Sequence, residues 1–452
     1  MFLRRRGPID KKMKKSDDQK TAAAKKILYG AVLFLLAVLF FEVISFAALM
    51  IAGRSLTPLS LSQAERKQIR EYKVPDNIKE AFLPEWIQSD RMHPYLGFVL
   101  PSEPNDPFGF GNEISPVQKR DPKRVIVAIT GGSVAYLLHR FALNVLREEL
   151  LKIPELSDKE IVFIRLAAGG FKQPQQLMTL NYLISLGGEF DLVINFDGFN
   201  EVALPEPDNV SRKIFPLYPR GWSFRIGAIS IPSVRYAMET GLLTQKVRVN
   251  TADFFSRPAV NNSAACNLIW KVLDHAFQFL IRRTNHLINN YQLKSSNDEV
   301  SGPFLNFNGE TELYQYLAMN WARSSVLMSQ ICQANNIRYF HFLQPNQYFP
   351  GSKRLTQEEK EKAYKEDHPY RKGVLIGYPA MRSLAGDVLG EINFYDLTML
   401  FSEENRTVYA DDCCHYNATG YEISAREIGR IIRQNFGSAL LNDPQEKSNE
   451  RV

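Results

Sequence analysis

Three positions that can offer a hydroxyl, a backbone N–H or an amide each follow a run of residues typical of a buried strand. Ser133 follows a Gly-Gly pair after the run VIVAIT, Gly170 ends a second Gly-Gly pair, and Asn200 follows the run DLVINF. A serine that opens a helix after a tight turn has an exposed hydroxyl beside backbone N–H groups without helical acceptors, so a nucleophile and an anion site can coexist there. Glycine lets a backbone N–H approach a ligand closely, and asparagine adds an amide donor.

Near the C-terminus, Asp412 and His415 are three residues apart. On one helical turn or in a tight loop, this spacing brings the carboxylate and the imidazole to the same side. The carboxylate can then hold the imidazole in the tautomer that accepts a proton. Each motif alone also fits a plain turn, a turn cap or a surface histidine. Their order along the chain, with a nucleophile and two donors at strand ends before an Asp/His pair, is far more specific.

Strands and helices alternate from Arg124 onward, and these elements must position the polar residues. The predicted strands are Val125–Thr130, Ile161–Ala168, Asp191–Phe196, Arg338–Leu343 and Ile392–Tyr395. The predicted helices are Ser62–Tyr72, Leu137–Ile153, Pro174–Leu186, Leu268–Leu293, Glu312–Asn335 and Ala418–Gln434. This alternation predicts an α/β fold with a parallel sheet covered by helices on both faces. Ligands bind such sheets beyond the carboxyl ends of the strands.

A long apolar segment, Ile27–Gly53, has Glu42 as its one formally charged residue. As a helix it would span roughly 40 Å, more than a hydrocarbon core of about 30 Å requires. The basic residues precede it, so we expect the N-terminus in the cytoplasm and the rest of the chain outside the inner membrane. A cleaved signal peptide is the alternative interpretation. Glu42 suggests either a membrane partner or a shallow position near the outer interface.

The segment boundaries follow from these patterns. We expect a basic cytoplasmic tail (1–26), a transmembrane helix (27–53), a membrane-proximal segment (54–120), an α/β domain (121–440) with an insertion at about 202–310, and a polar tail (441–452).

The net charge of +6 over 452 residues is confined to the N-terminal tail. The first 26 residues hold ten Lys/Arg and three Asp/Glu, whereas the remaining chain holds 45 basic and 46 acidic residues. The body therefore lacks the basic surface of a nucleic-acid-binding protein. Four cysteines are too few for a disulfide scaffold. A metal site around Cys413, Cys414 and His415 is disfavoured because adjacent cysteines seldom share one tetrahedral metal, so we predict no metal and no cofactor.

Four blocks of the sequence resemble those of the SGNH (GDSL-like) hydrolases, in particular the membrane-anchored extracytoplasmic members. The blocks are TGGSVA (130–135), LAAGGFKQPQQ (166–176), GFN (198–200) and DCCH (412–415). The resemblance implies a flavodoxin-like three-layer fold. It implies Ser133 as nucleophile with His415 and Asp412 as its base and acid. Ser133, Gly170 and Asn200 would bind the oxyanion.

The sequence departs from the family pattern at several positions. Gly132 replaces the usual Asp before the serine, Arg165 the usual Asn of the glycine block, and Glu201 the usual Asp after the asparagine. The 212 positions from Asn200 to Asp412 leave room for a cap or subdomain.

The resemblance implies a serine esterase that removes O-acyl groups. Membrane tethering outside the cytoplasm motivates a cell-surface glycan as the substrate, and we expect O-acetyl esters. An O-acyltransferase of the same fold and an inactive glycan-binding or assembly factor remain alternatives. An α/β-hydrolase is a further alternative because residues 131–135 nearly match the pattern Gly-x-Ser-x-Gly. In that fold, however, the serine follows several strands rather than the first.

Overall fold

The computed structural model of the chain describes residues 8–82, 85–230, 232–289, 301–303 and 305–437. The predicted polar tail 441–452 lies outside these residues, as does the start of the basic tail. The strands are β1 Arg91–His93, β2 Gly97–Val99, β3 Arg124–Gly131, β4 Glu160–Ala167, β5 Leu192–Asp197, β6 Arg338–Leu343 and β7 Phe394–Asp396.

The helices, in chain order, are α1 Pro8–Gly53, α2 Pro58–Glu71, α3 Ile78–Phe82, α4 Glu85–Gln88, α5 Ser133–Phe141, α6 Leu143–Leu150, α7 Gln175–Ser185, α8 Phe199–Ala203, α9 Trp222–Ser230, α10 Pro232–Phe255, α11 Pro258–Asn261, α12 Ala264–Asn289, α13 Glu310–Ala334, α14 Gln357–Lys362, α15 Arg371–Asp387 and α16 Ala418–Asn435. Short 3₁₀ or π turns cover Pro154–Leu156, Pro205–Asn209 and Val210–Arg212.

In the described residues, five strands form a parallel sheet in the order β4-β3-β5-β6-β7. Counted along the chain this is the order 2-1-3-4-5, which is that of flavodoxin-like sheets. The α/β class and the parallel sheet predicted from the sequence are therefore confirmed. β1 and β2 form a separate antiparallel pair.

The strands of this sheet are apolar because both faces are covered. Val127 and Ile129 of β3 belong to the core on one face, which also holds residues of α5, α6, α13 and α16. Ile126 and Ala128 belong to the core on the other face, which contains residues of α7. A strand buried on both faces reads as a continuous apolar run rather than an alternating one.

The predicted helix Leu137–Ile153 is two helices in the structure, α5 and α6. The break is at Ala142, whose backbone angles (φ −134°, ψ 16°) are not helical. Residues of both helices lie in the same core cluster as residues of α16. The break changes the direction of the chain so that α5 and α6 can both reach α16. This requirement comes from tertiary packing, and the apolar periodicity of the sequence gives no sign of it.

The chain divides into two compact units. One comprises Met1–Phe82 and Ser233–Tyr291, and the other comprises Leu83–Pro232 and Gln292–Val452. The predicted segments 54–120 and 202–310 are each divided between these units. The parallel sheet lies entirely in the second unit.

In the first unit, the carboxylate of Glu42 binds the N-terminus of α12. It accepts a hydrogen bond from the Ser263 hydroxyl and one from the Ala264 N–H, with an O–N distance of 2.6 Å. Negative charge at a helix N-terminus is favourable because the first N–H groups have no helical acceptors. Buried Arg66 of α2 donates to the Asn267 side chain of the same helix at 2.6 Å. The predicted membrane partner near Glu42 stays a prediction.

One helix among the described residues, Ala22–Gly53 within α1, is long and apolar enough to cross a membrane, with a mean hydropathy of 2.7. A signal sequence would have the same length and composition. The apolar side chains of its first part are largely exposed, as the 68% exposed fraction of Phe34 and the 64% of Phe41 illustrate.

We expect Gly373→Ala in α15 to lower the melting temperature. A methyl group at Gly373 would lie 2.4 Å from the backbone oxygen of Val202 in α8, the helix that carries Asn200. Overpacking of this kind costs about 1–3 kcal/mol. The matched control is Gly386→Ala in the same helix, where a methyl group meets nothing within 4 Å. That change should be neutral or stabilising by up to about 1 kcal/mol. Equal thermal unfolding of the two detergent-solubilised variants would contradict the expectation.

Candidate active site

Ser133 and His415 lie within hydrogen-bonding distance although 282 positions separate them in the sequence. The Ser133 Oγ is 2.8 Å from the Nε2 of His415. Ser133 is the first residue of α5, directly beyond the carboxyl end of β3, and His415 lies in the loop before α16. The structure therefore brings the predicted nucleophile and the predicted base together.

The carboxylate that contacts His415 belongs to Asp411 and not to Asp412, so the predicted identity of the acid is corrected. The Oδ2 of Asp411 is 2.5 Å from the Nδ1 of His415. Its Oδ1 accepts the backbone N–H groups of Cys413, Cys414 and His415 at 3.0, 3.2 and 3.3 Å. Because a carboxylate only accepts, Nδ1 carries the proton and Nε2 is free to accept from the serine.

Asp412 instead forms an ion pair with Lys365, and its Oδ1 lies 3.9 Å from the Nε2 of His368. Its own carbonyl oxygen accepts a hydrogen bond from the Tyr348 hydroxyl at 2.7 Å. Asp411 folds over the turn that follows it, which directs its neighbour's side chain away from the imidazole. The doublet Asp411-Asp412 is the one sequence signal for this choice, and it does not indicate which member faces the histidine.

The pKa shifts of His415 and Asp411 are those of a base hydrogen-bonded to a carboxylate. Burial lowers the pKa of His415, but the hydrogen bond and the charge of Asp411 outweigh it, so the pKa lies above its ordinary value. Burial raises the pKa of Asp411, whereas the hydrogen bond and charge of His415 and the backbone N–H groups lower it more, so it lies below its usual range. Both shifts favour an imidazole that takes up a proton beside an ionised carboxylate.

The predicted oxyanion donors lie on the two neighbouring strand-end loops. The Asn200 Nδ2 donates to the carbonyl oxygen of Phe171, next to Gly170, at 2.7 Å. A methyl group at Gly132 would lie 2.1 Å from the same Nδ2. The Asn200 amide thus lies against the turn that carries Ser133 and leaves no room for a side chain at position 132.

Glu201, which in the sequence is only a departure from the family pattern, joins the loop after β4 to the loop after β5. Its buried carboxyl accepts the N–H of Gly198 at 2.9 Å, the N–H of Gln173 at 3.1 Å and the side-chain amide of Gln176 at 2.8 Å. Burial and the neighbouring Asp197 raise the pKa of Glu201 to about 8. No local sequence pattern indicates this role, because Gln173 and Gln176 come from a different strand-end loop.

Two cysteines lie between Asp411 and His415. The Sγ atoms of Cys413 and Cys414 are 3.5 Å apart, and all four cysteines of the chain are free. Within the part of the chain that the structure describes, no cluster of three or more His, Cys, Asp or Glu side chains could hold a metal ion.

Taken together, these contacts can support nucleophilic attack by the serine. The Ser133 hydroxyl donates to an imidazole whose other nitrogen is fixed by Asp411. Backbone and amide donors lie on the adjoining loops. Such an arrangement lets the imidazole accept the hydroxyl proton while the donors stabilise a negatively charged oxygen.

We expect Asp411→Asn to lower the rate at which a fluorophosphonate probe labels Ser133 by about 10²–10⁴-fold, since the imidazole loses the group that fixes its tautomer. Asp412→Asn removes the same charge from the adjacent position and is the matched control. It should leave labelling within about twofold of wild type, because Asp412 does not contact the imidazole. Equal losses in the two variants would contradict the assignment of Asp411.

The raised pKa of His415 predicts the acid limb of the activity profile. Only the neutral imidazole can accept the serine proton, so Ser133 reactivity should fall as the pH drops through the His415 pKa. We expect the wild-type midpoint above about 6.5, the ordinary histidine value. In Asp411→Asn, burial remains without the carboxylate, so the midpoint of the residual activity should move to lower pH. A midpoint that moves upward would be inconsistent with this account.

Comparisons with known proteins identify no family for this chain. No protein-family model matches it, and no curated protein sequence does. A solved structure to which the chain is similar is that of a proposed acylhydrolase from Bacteroides fragilis. The two share 12% sequence identity and a TM-score of 0.31, over 72% of this chain and 92% of that one. At this TM-score the similarity carries no weight for fold or function.

Proposed function

We propose that the protein is a serine ester hydrolase of the SGNH type. The observation that carries the proposal is the continuous hydrogen-bonded series from the Asp411 carboxylate through His415 to the Ser133 hydroxyl, with distances of 2.5 and 2.8 Å. The meeting of the Asn200 amide with the turn before Ser133 supports it further. Ester hydrolysis through an acyl-serine is a reaction that uses a nucleophile, a base and an oxyanion site together.

In the proposed reaction, the Ser133 Oγ attacks the ester carbonyl carbon while the Nε2 of His415 takes the hydroxyl proton. The oxygen that becomes negative is bound by the N–H groups of Ser133 and Gly170 and by the Asn200 amide. The imidazolium then gives its proton to the leaving alcohol, which leaves an acyl-serine. The same imidazole then takes a proton from water as the water oxygen attacks the acyl carbon. The imidazolium returns that proton to the Ser133 Oγ as the acyl–oxygen bond breaks and the acid leaves.

The apolar helix and the charge of the tail before it support a location for this chemistry. We infer a single membrane crossing with the N-terminus in the cytoplasm, because the basic residues precede the helix. Ser133 and His415, which follow the helix in sequence, then lie on the outer side of the inner membrane. The esters available to an enzyme held at that surface include the O-acyl groups of cell-surface glycans, and O-acetyl esters are the substrate class we propose.

We expect the full chain in detergent to hydrolyse p-nitrophenyl acetate and to be labelled by a fluorophosphonate probe. Ser133→Ala should abolish labelling and lower hydrolysis by at least about 10³-fold, because the nucleophile is lost. Ser383→Ala, an exposed serine of α15, is the control and should change neither. A folded wild-type protein that shows no labelling and no Ser133-dependent hydrolysis would refute the function.

A further inference from the structure

The segment 205–221, which we call the strap, follows α8 and ends at α9. Its backbone is held by two buried side chains. The Lys172 ammonium donates to the carbonyl oxygens of Pro216, at 2.9 Å, and of Tyr218. The Asn209 amide donates to those of Phe215 and Tyr218 at 3.1 and 2.8 Å. Because Lys172 comes two residues after Gly170, the strap is tied to the loop that carries a candidate oxyanion donor.

Arg220, near the end of the strap, lies against Gly170. A methyl group built on Gly170 would be 2.8 Å from the Cδ of Arg220 and 3.4 Å from its Cβ. The aliphatic part of the arginine therefore occupies the space over the Gly170 α-carbon. Gly170 has φ +80°, in the left-handed region that favours glycine. A side chain at position 170 would be strained by this backbone and would also collide with Arg220.

Two nitrogen atoms of the Arg220 guanidinium donate hydrogen bonds that fix its position. Its Nε donates to the Oδ2 of Asp208 at 2.8 Å, and its Nη2 donates to the Tyr370 hydroxyl at 2.8 Å. The Tyr370 ring contacts Phe199, the residue before Asn200, edge to face, with the ring centres 5.9 Å apart. The guanidinium is thus linked through Tyr370 to the helix that carries Asn200, while its aliphatic stem packs on Gly170, and the arginine side chain is largely buried.

The charge of Arg220 acts on the pKa of His415 together with the other groups around the imidazole. Burial lowers the pKa of His415, Asp411 raises it, the nearby Cys413 also raises it, and the charge of Arg220 lowers it. Arg220 therefore disfavours a proton on the resting imidazole. During attack, the substrate carbonyl oxygen bound by the Gly170 N–H becomes negative, and a fixed positive charge near this oxygen is favourable.

We infer that Arg220 is a positioning residue of the hydrolytic site, holding the Gly170 side of the oxyanion site and adding a fixed positive charge to it. The inference rests on the proposed function and assigns a role to the first part of the predicted insertion. The strap packs on the Gly170 loop, and Asp208, Tyr370, Lys172 and Asn209 are the groups that hold it in place.

The test compares Arg220→Met, Arg220→Lys and Arg212→Met in the full chain in detergent, with p-nitrophenyl acetate as substrate. Arg220→Met keeps an unbranched stem over Gly170 and removes the charge. We expect kcat to fall about 10–10²-fold, less than the 10²–10³-fold typical of losing a direct donor, with KM within about twofold. The acid limb should move to higher pH because a charge that opposed protonation of His415 is gone.

Arg212→Met removes a positive charge from the same strap at an exposed position and should alter neither kcat nor the acid limb. Arg220→Lys keeps the charge without the planar fork and should return the acid limb toward wild type. If Arg220→Met unfolds, Tyr370→Phe removes one anchor of the guanidinium while leaving Asp208 in place, and it should lower kcat by a smaller factor.

A folded Arg220→Met variant with wild-type kcat and an unmoved acid limb would overturn the inference while leaving the proposed function intact. For an unfolding Arg220→Met, wild-type kcat in folded Tyr370→Phe would likewise overturn it. A loss of kcat without movement of the acid limb would also overturn the charge role, since a purely structural loss has no reason to shift the His415 titration. A wild-type chain with no Ser133-dependent activity would instead refute the function itself, so the two failures are distinguishable.

Discussion

The site depends on the register of the central strand. Gly131 at the end of β3 pairs with Ala167 of β4 on one side and with Phe196 of β5 on the other. In a parallel sheet, strands that are in register release their following loops at the same edge. Ser133 and the loops that carry Gly170 and Asn200 therefore lie at the same edge of the sheet, and His415 reaches Ser133 from the loop before α16.

Buried polar groups then fix the positions of these neighbouring loops. Glu201 binds backbone groups of two loops, and Asp197 at the end of β5 accepts the Trp321 indole N–H at 2.7 Å and lies 2.8 Å from the Nε2 of His341. A buried carboxyl group is tolerated only when its oxygens are hydrogen-bonded, as these are. Leaving one of these hydrogen bonds unmade is costly, so alternative positions of these loops are unfavourable.

The sequence predicts the framework well because the framework is governed by local pattern. β6 begins and ends at the predicted residues, and β3, β4 and β5 differ from prediction by one residue at each end, since buried β-branched runs have sharp boundaries. The predicted carboxylate was wrong, because Asp411 and Asp412 differ only in how one loop is folded. Glu201 and Arg220 could not be assigned either. The contacts that give them a role, with Gln173 and Gln176 for Glu201 and with Gly170 and Tyr370 for Arg220, join segments distant in sequence that only tertiary structure brings together.

The division of the chain into two units has a consequence for how it can be shortened. Helices α10 and α12 belong to the same unit as α1 and α2, although the 150 residues Leu83–Pro232 of the other unit lie between them in the sequence. A protein that starts beyond the apolar helix would retain α12 but lose Glu42, the carboxylate at its first turn. If it also lacked α2, the polar face that binds Arg66 would be left open to solvent. Removal of the apolar helix therefore also removes contacts that hold the rest of its unit.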